Sequence, residues 1–218
     1  MSFRHPQNEV LSRARSPEDK AKVREAFIAA GRKLFAEEDD PSGVSLRRIA
    51  AAAGYAPGAI YQYFADQQDL FFQIRAHDMH AATQQLRQLI AHTRSPARRV
   101  EKLFMGTADY WLNHMEEFLI IFPAASTHTP APSPAGSLPF GRSPVVEDSL
   151  RLYYETVEAY FDTLAQPPMP PRLAADMLMA AVHGMIVFPC MTRTMDWSDT
   201  RTMVKKLVTT LVLQWGDS

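Results

Sequence analysis

The sequence predicts an all-α protein of about nine helices, with a small N-terminal head and a larger C-terminal body. Apolar residues recur at helical spacing along most of the chain, and serine or aspartate marks several helix starts. No segment alternates apolar and polar residues as a half-buried strand does. We therefore expect a flexible basic arm at 1–16, a head at 17–65 and a body at 66–218.

The first helix of the head has a typical N-terminus. Ser16 is a good N-cap, Pro17 suits the first helical position, and two acids follow in the first turn. Pro41 and Gly43 end this helix. Ser45 is then expected to cap a second, short helix with the sequence LRRIAAAA.

A tight turn separates the second helix from a predicted third one. Gly54 ends the second helix, Pro57 opens the third, GAIYQYF, and Asp66 caps a long fourth helix. Two short helices joined by a glycine-containing turn are typical of a helix-turn-helix, although a purely structural hairpin has the same spacing. Residues 43–65 contain two arginines and no acid, which favours a surface that faces DNA.

Five further helices are predicted in the body, counted after the long fourth helix. Ser95 and Pro96 start one, and NHMEEFLIIF forms another that stops at Pro123. Residues 123–144 hold six prolines and two glycines, so we predict a long loop, either disordered or a functional cover. The last three helices are expected at about 145–165, 171–192 and 199–215.

One motif of the head is specific. In register, the chain shows Ser45-Leu46, Ile49-Ala50, Ala53-Gly54, Gly58, Ile60-Tyr61, Tyr63-Phe64 and Leu70. With the preceding helix AFIAAGRKLFAE, this pattern resembles the DNA-binding head of the TetR family of bacterial transcriptional regulators, over about a quarter of the chain. The resemblance implies a helix-turn-helix domain at 17–65 that binds double-stranded operator DNA. It also implies a ligand-binding and dimerisation domain at 66–218.

The resemblance assigns roles to residues of the head. Ser45 is expected to touch a phosphate, Tyr61 and Tyr63 to bond the DNA backbone, and Gln62 to read a base, since glutamine pairs with adenine. Gln67 stands where the family often has a lysine, so we expect the arginines of the arm to supply part of the missing charge. The predicted DNA-binding residues are Ser45, Arg47, Arg48, Ala56, Pro57, Ala59, Tyr61, Gln62, Tyr63 and Gln67.

The last two helices carry apolar stripes at helical spacing. Burial in the core of one chain explains such stripes, and so does pairing with a second copy as a four-helix bundle. The resemblance favours the homodimer, because these regulators dimerise through their last two helices. The predicted interface consists of Met177, Ala181, Gly184, Phe188, Val204, Val208, Leu211 and Trp215.

Methionine and aromatic side chains of the body suit either an ordinary core or the wall of a pocket for an apolar or aromatic effector. His183 is either a core histidine or a polar anchor of the pocket, and Pro189 should free a carbonyl near Met185. The His183-Gly184 pair resembles the C-terminal domain type called WHG, although Met179 stands near the place of its tryptophan. The candidate ligand residues are Trp111, Met115, Phe118, Phe122, Tyr154, Met179, His183 and Met185.

Composition and motifs argue against other classes of protein. The net charge of −1 excludes a globally basic protein, and the single cysteine, Cys190, excludes a disulfide framework. We expect a cytoplasmic protein, because the N-terminus lacks the core of a secretory signal and no uninterrupted apolar run approaches the ~20 residues of a membrane span. His77, Asp78 and His80 are expected at the surface rather than around a metal.

The sequence contains no P-loop or dinucleotide motif, so we predict no catalytic residue, no metal and no cofactor. The predicted function is that of a ligand-released repressor that binds a palindromic operator as a dimer. The alternative is an all-helical small-molecule binding or adaptor protein that does not bind DNA.

Overall fold

The computed structural model describes residues 16–38, 43–122 and 138–217. These residues form eight α-helices and no strand, which confirms the predicted all-α fold. Residues 1–15 of the predicted arm and residues 123–137 of the proline-rich segment lie outside the described residues. The helices are α1 (Pro17–Glu37), α2 (Leu46–Ala52), α3 (Gln67–Ala91), α4 (Pro96–Asn113), α5 (Met115–Ile121), α6 (Pro144–Phe161), α7 (Pro171–Met191) and α8 (Thr200–Gly216).

The chain divides into two compact units. Unit 1 comprises Met1–Ala76 and Leu119–Phe140, and unit 2 comprises His77–Phe118 and Gly141–Ser218. Unit 1 therefore contains α1, α2, the start of α3 and the end of α5, whereas α4, α6, α7 and α8 belong to unit 2.

The helix starts of unit 1 are those that the sequence predicts. The Ser16 hydroxyl accepts a hydrogen bond from the Asp19 N–H at 3.0 Å, and the Asp19 carboxylate accepts one from the Ser16 N–H at 3.2 Å. This capping box satisfies two donors that the helix itself cannot pair. Ser45 caps α2 through the Arg48 N–H at 3.3 Å, and Asp66 accepts from the Asp69 N–H at 2.7 Å before α3.

The core of unit 1 is built around Phe27, a fully buried residue of α1. Its ring meets those of Tyr55, Tyr63 and Phe64 edge to face, with centroids 5.1, 5.4 and 6.4 Å away. Nearby, a methyl group at Gly31 would lie 2.9 Å from the Ile74 side chain, so glycine allows α1 and α3 to approach closely.

Arg75 joins the second chain segment of unit 1 to α3. Its guanidinium donates to the Ile121 carbonyl at 2.7 Å and lies 3.8 Å from the centroid of the Phe140 ring. Burial lowers the pKa of Arg75 to about 10, so the side chain keeps its charge at neutral pH and holds both ends of this segment.

The turn after α2 closes with a Schellman motif. Gly54 has φ 80°, a left-handed conformation that favours glycine. The Tyr55 N–H bonds the Ala50 carbonyl at 2.9 Å, and the Gly54 N–H bonds the Ala51 carbonyl at 3.0 Å. These bonds end α2 where the sequence predicts.

The predicted third α-helix, opened by Pro57, is wrong in type. Residues 56–63 form a succession of i→i+3 hydrogen bonds, and only Ile60–Gln62 form a short 3-10 helix. The glycine at position 58 and three β-branched or aromatic residues favour an α-helix only weakly, and the segment is too short to repay nucleation. The tighter 3-10 geometry satisfies its backbone instead.

Helix α4 occupies the centre of unit 2, where it packs against α6, α7 and α8. The Thr107 and Tyr153 hydroxyls are 2.9 Å apart in the buried contact between α4 and α6. Burial raises the pKa of Tyr153 to about 12, so this hydroxyl remains protonated. Between α6 and α8, the Tyr160 hydroxyl donates to the Val212 carbonyl at 2.7 Å.

Helix α7 is apolar on two sides. Its length and its mean hydropathy of 1.7 over 18 residues would suffice for a membrane span, yet one face packs against α4, α6 and α8. Pro189 lies inside the helix, as predicted, and the Thr200 hydroxyl lies 3.5 Å from the Met185 carbonyl that proline leaves without an N–H partner.

Candidate nucleic-acid interface

Most of the residues predicted to bind DNA are exposed, in α2 and in the turn that follows it in unit 1. Ile60 and Phe64 are buried in the core, so the residues between them are held against a rigid support. Tyr61 is 53 % exposed, and Gln62 is exposed beside it. We call the exposed members of the predicted set, apart from the ion-paired Arg48, the reading surface: Ser45, Arg47, Ala56, Pro57, Tyr61 and Gln62.

Three predicted contact residues are only partly exposed: Ala59, Tyr63 and Gln67. The Tyr63 ring packs on Phe27, so only part of this side chain reaches solvent. Burial and the neighbouring Tyr55 raise the pKa of Tyr63, which keeps its hydroxyl protonated and able to donate to a phosphate. Gln67 is the first residue of α3.

The two arginines of α2 have different surroundings. Arg47 is exposed and makes no ion pair with a described acid. Arg48 is bound within unit 1, because its guanidinium lies 2.8 Å from the Glu38 carboxylate and donates to the Gly43 carbonyl at 3.1 Å. The residue after α1 therefore places an acid beside α2 that pairs with this cation, and the prediction that Arg48 binds DNA stays a prediction.

A hydrogen-bonded chain fastens the end of the turn to α1 and α3. Arg24 donates to the Gln73 side-chain carbonyl, and Gln73 donates to Asp69 at 2.9 Å. Asp69 in turn accepts from the Ala65 N–H at 2.9 Å. This network was not predicted from the sequence, where its only local signal is the i, i+4 spacing of Asp69 and Gln73.

In unit 2, three of the predicted ligand residues come together. The Phe118 ring lies 5.7 Å from Trp111 and 6.0 Å from His183, which it nearly parallels at 26°. The His183 Nδ1 lies 2.9 Å from the Met179 carbonyl and donates to it, while burial lowers the pKa of this histidine. His183 is therefore neutral at pH 7, and the cluster is apolar with one internally satisfied imidazole.

The other predicted ligand residues do not all join this cluster. Tyr154 is at the contact of α6 and α7, where its hydroxyl donates to Asp176 at 2.8 Å and Arg172 lies 4.3 Å over its ring. Met115 and Met185 are partly buried in unit 2, and Phe122 belongs to unit 1.

A shallow cleft of about 200 Å³ between α3 and α4 contains none of the predicted ligand residues. The sequence reasoning did not single it out. Its lining residues are Gln85, Leu86, Leu89, Gly106, Asp109, Tyr110, Asn113 and His114.

The apolar stripes of the last two helices differ in burial. Val204, Val208 and Trp215 of α8 are buried inside the single chain, so the prediction that they pair with a second copy is corrected. Helices α4 and α7 pack against α8 within the chain, and Phe161 of α6 contacts the Trp215 ring at a centroid distance of 5.3 Å. On α7, Met177 and Phe188 are 44 % and 55 % exposed, Gly184 is exposed, and Ala181 is partly buried, as is Leu211 of α8.

The exposed apolar surface of α7 is larger than predicted. Leu173 and Met191 extend it toward both ends of the helix, and the exposed Leu213 lies on α8. Residues 173, 177, 184, 188 and 191 are spaced so that they follow one side of α7. We call this side the α7 stripe.

Asp78 is not at the surface, contrary to the sequence prediction. It is 3 % exposed, and one carboxylate oxygen lies 3.1 Å from the His77 ring, which is itself partly exposed. Helix α3 turns Asp78 inward, while His80, two residues on, faces solvent. Among the described residues, no three histidine, cysteine or acidic side chains are grouped as metal ligands.

Comparison with known proteins places these features in context. Residues 27–74 match the family model described as bacterial regulatory proteins, tetR family. This segment contains the turn and all ten residues of the predicted DNA-binding set. A search of curated proteins finds no match.

Solved structures of similar fold cover most of the chain. The fatty acid degradation regulator FadR of Bacillus halodurans aligns with a TM-score of 0.69 and 20 % identity, over 92 % of this chain and 97 % of its own. The transcriptional regulator FadR of Bacillus subtilis, in complex with stearoyl-CoA, aligns at 0.70 and 14 %, over 86 % and 97 %. A TetR family transcription regulator from Marinobacter aquaeolei aligns at 0.65 and 16 %, over 88 % and 97 %.

Proposed function

We propose that this chain, whose residues 27–74 match the family model of the tetR family of bacterial regulatory proteins, is a member of that family. We propose further that it binds a palindromic operator as a homodimer and represses transcription until a small molecule releases it. The family match at residues 27–74 and the similar fold of solved regulators support a DNA-binding transcriptional regulator over an enzyme. The proposal that the protein binds an operator rests on the reading surface, whose exposed polar and basic side chains lie over an aromatic core. We further propose that the protein works in the cytoplasm, where its DNA is.

Different residues of the reading surface suit contacts with the DNA backbone and contacts with the bases. Tyr61 offers a hydroxyl and Arg47 an exposed guanidinium, both suited to phosphate oxygens, which fix the register of a protein on DNA. Gln62 offers an amide that matches the major-groove edge of adenine. Ala56 and Pro57 are small enough to let the backbone of the turn approach the groove.

Binding to DNA and its sequence dependence should respond to different residues. The parent protein is expected to retard a duplex from upstream of its own gene in a gel-shift assay at low salt. Tyr61→Phe should weaken binding to all duplexes about tenfold, because a hydrogen bond to a charged phosphate is lost. Gln62→Ala should change the order of preference among duplexes that differ at single A·T pairs, by about 1–3 kcal/mol.

The control for this assay is Gln88→Ala, the same change at an exposed residue of α3 in unit 2, which should leave binding unchanged. Failure of the dimeric parent protein to retard any duplex at low salt would favour the alternative, a helical small-molecule binding or adaptor protein.

The α7 stripe supports the homodimer. An exposed apolar stripe along a 21-residue helix is costly in water, and a second copy would cover it as part of a four-helix bundle. A dimer also presents two reading surfaces, each of which would bind one half-site of a palindrome whose half-sites are about 34 Å apart. The interface residues that remain proposed are Met177, Ala181, Gly184, Phe188 and Leu211, with Leu173, Met191 and Leu213 added.

The effector is proposed to be an apolar or aromatic molecule that binds unit 2. The cluster of Trp111, Phe118 and His183 provides an apolar wall, and a ligand that moves these rings would have to bind the DNA-incompetent state more tightly. Because the Bacillus subtilis FadR structure contains stearoyl-CoA, long-chain acyl thioesters are the first class of compound to test.

Stearoyl-CoA is expected to stabilise the protein and release it from DNA. A ligand at about 100 times its Kd adds about 2.7 kcal/mol to the free energy of unfolding, which raises the melting temperature. Differential scanning fluorimetry measures this shift, and anisotropy of a labelled duplex measures the release. Coenzyme A without the acyl chain is the control. An acyl-CoA that produces neither effect would exclude this class of effector and leave DNA binding unaffected.

A further inference from the structure

An ion pair inside unit 1 occupies a cation of the proposed DNA interface. The Arg48 backbone N–H bonds the Ser45 hydroxyl, so Arg48 lies in the first turn of α2 beside a residue of the reading surface. Its guanidinium lies 2.8 Å from Glu38 and also donates to the Gly43 carbonyl. One nitrogen serves each acceptor, so both ends of the guanidinium are engaged.

We propose that Glu38 is a negative determinant of DNA affinity, which keeps Arg48 from forming a phosphate contact. The inference rests on the proposed DNA-binding function and adds one residue that limits the affinity for DNA. The Arg48 and Glu38 side chains are 49 % and 35 % exposed, so Arg48 is close to solvent and would reach an external anion if Glu38 lost its charge. The pair is short and charge-assisted, which lets it compete with a phosphate.

The neighbouring glutamate provides an internal comparison. Glu37 is 3.9 Å from Lys33, one turn earlier on the same helix, and makes no ion pair with Arg48. Glu37 and Glu38 are adjacent and carry the same charge, and they differ in the cation that each one holds. Neutralising either changes the net charge of the head by the same amount, yet only one change should release Arg48.

Release of Arg48 has a measurable signature. Each phosphate contact adds about 0.9 to the slope of log K against log salt. A freed Arg48 should therefore increase the magnitude of this slope by about 0.9 for each head that binds. Between about 200 and 50 mM salt, the advantage over the parent protein should grow about threefold per head.

The experiment compares Glu38→Gln, Arg48→Gln, the double variant and Glu37→Gln with the parent protein. Anisotropy of one labelled duplex from the upstream region gives the affinity at several KCl concentrations, and circular dichroism verifies the helix content. Glu38→Gln should bind more tightly with the steeper slope. Arg48→Gln, the double variant and Glu37→Gln should keep the slope of the parent.

Two results would overturn the inference. One is an unchanged slope in Glu38→Gln. The other is a gain that persists in the double variant, because Glu38 would then act by general repulsion and not through Arg48. If the parent protein binds no DNA at any salt concentration, the proposed function fails and this inference fails with it. A parent that binds normally while Glu38→Gln behaves identically rejects only the role of Glu38.

Discussion

Phe27→Ala is expected to lower the free energy of unfolding of unit 1 by about 3–5 kcal/mol and to abolish DNA binding. The fully buried ring contacts three aromatic side chains, two of which, Tyr63 and Phe64, flank the end of the turn. Alanine leaves a cavity beneath the reading surface, and aromatic pairing energy is lost in addition to burial. Because a domain is stable by only about 5–15 kcal/mol, this loss is a large part of the total.

Urea denaturation followed by circular dichroism measures this effect. Tyr61→Ala is the matched control, because it removes an aromatic ring that is largely exposed in the same unit and should cost well under 1 kcal/mol of stability. A loss of less than about 1 kcal/mol for Phe27→Ala would contradict the central position of this ring in the core.

Phe188→Asp is expected to convert the protein to a monomer and to weaken operator binding about a hundredfold or more. A carboxylate in the centre of an apolar interface must either leave water or prevent the association. The second head then no longer binds at the high effective concentration that a dimer provides. Helix α7 should itself stay folded, since this side chain is exposed in the single chain.

Sedimentation velocity measures the mass of the particle in solution, and anisotropy measures its affinity for DNA. Gln88→Asp places the same charge at an exposed polar site of α3 and should change neither quantity. Met177→Asp, also on the α7 stripe, should reproduce the monomer. A Phe188→Asp protein that remains dimeric would move the interface away from this stripe.

Short-range chemistry is the part of the fold that could be predicted from the sequence. The caps at Ser16, Ser45 and Asp66 depend on a side chain and an N–H three residues away, so they follow from neighbours in the chain. Gly54 ends α2 for the same reason, since a left-handed turn excludes most other residues. The predicted α-helix at Pro57 was wrong in type, because so few residues cannot repay the nucleation of an α-helix and only Ile60–Gln62 form a 3-10 helix.

The candidate site could be predicted in part. The sequence alone determined the all-α class, most helix ends and the set of residues at the turn, since each depends on local spacing and on a motif. The tertiary structure decided which of these residues are available. It paired Arg48 with Glu38, a contact that depends on how the chain returns after α1. In the tertiary structure Val204 and Val208 are also buried, whereas Phe188 is exposed. Periodicity defines an apolar stripe, but the packing of other helices determines whether that stripe is covered within the chain or remains for a partner.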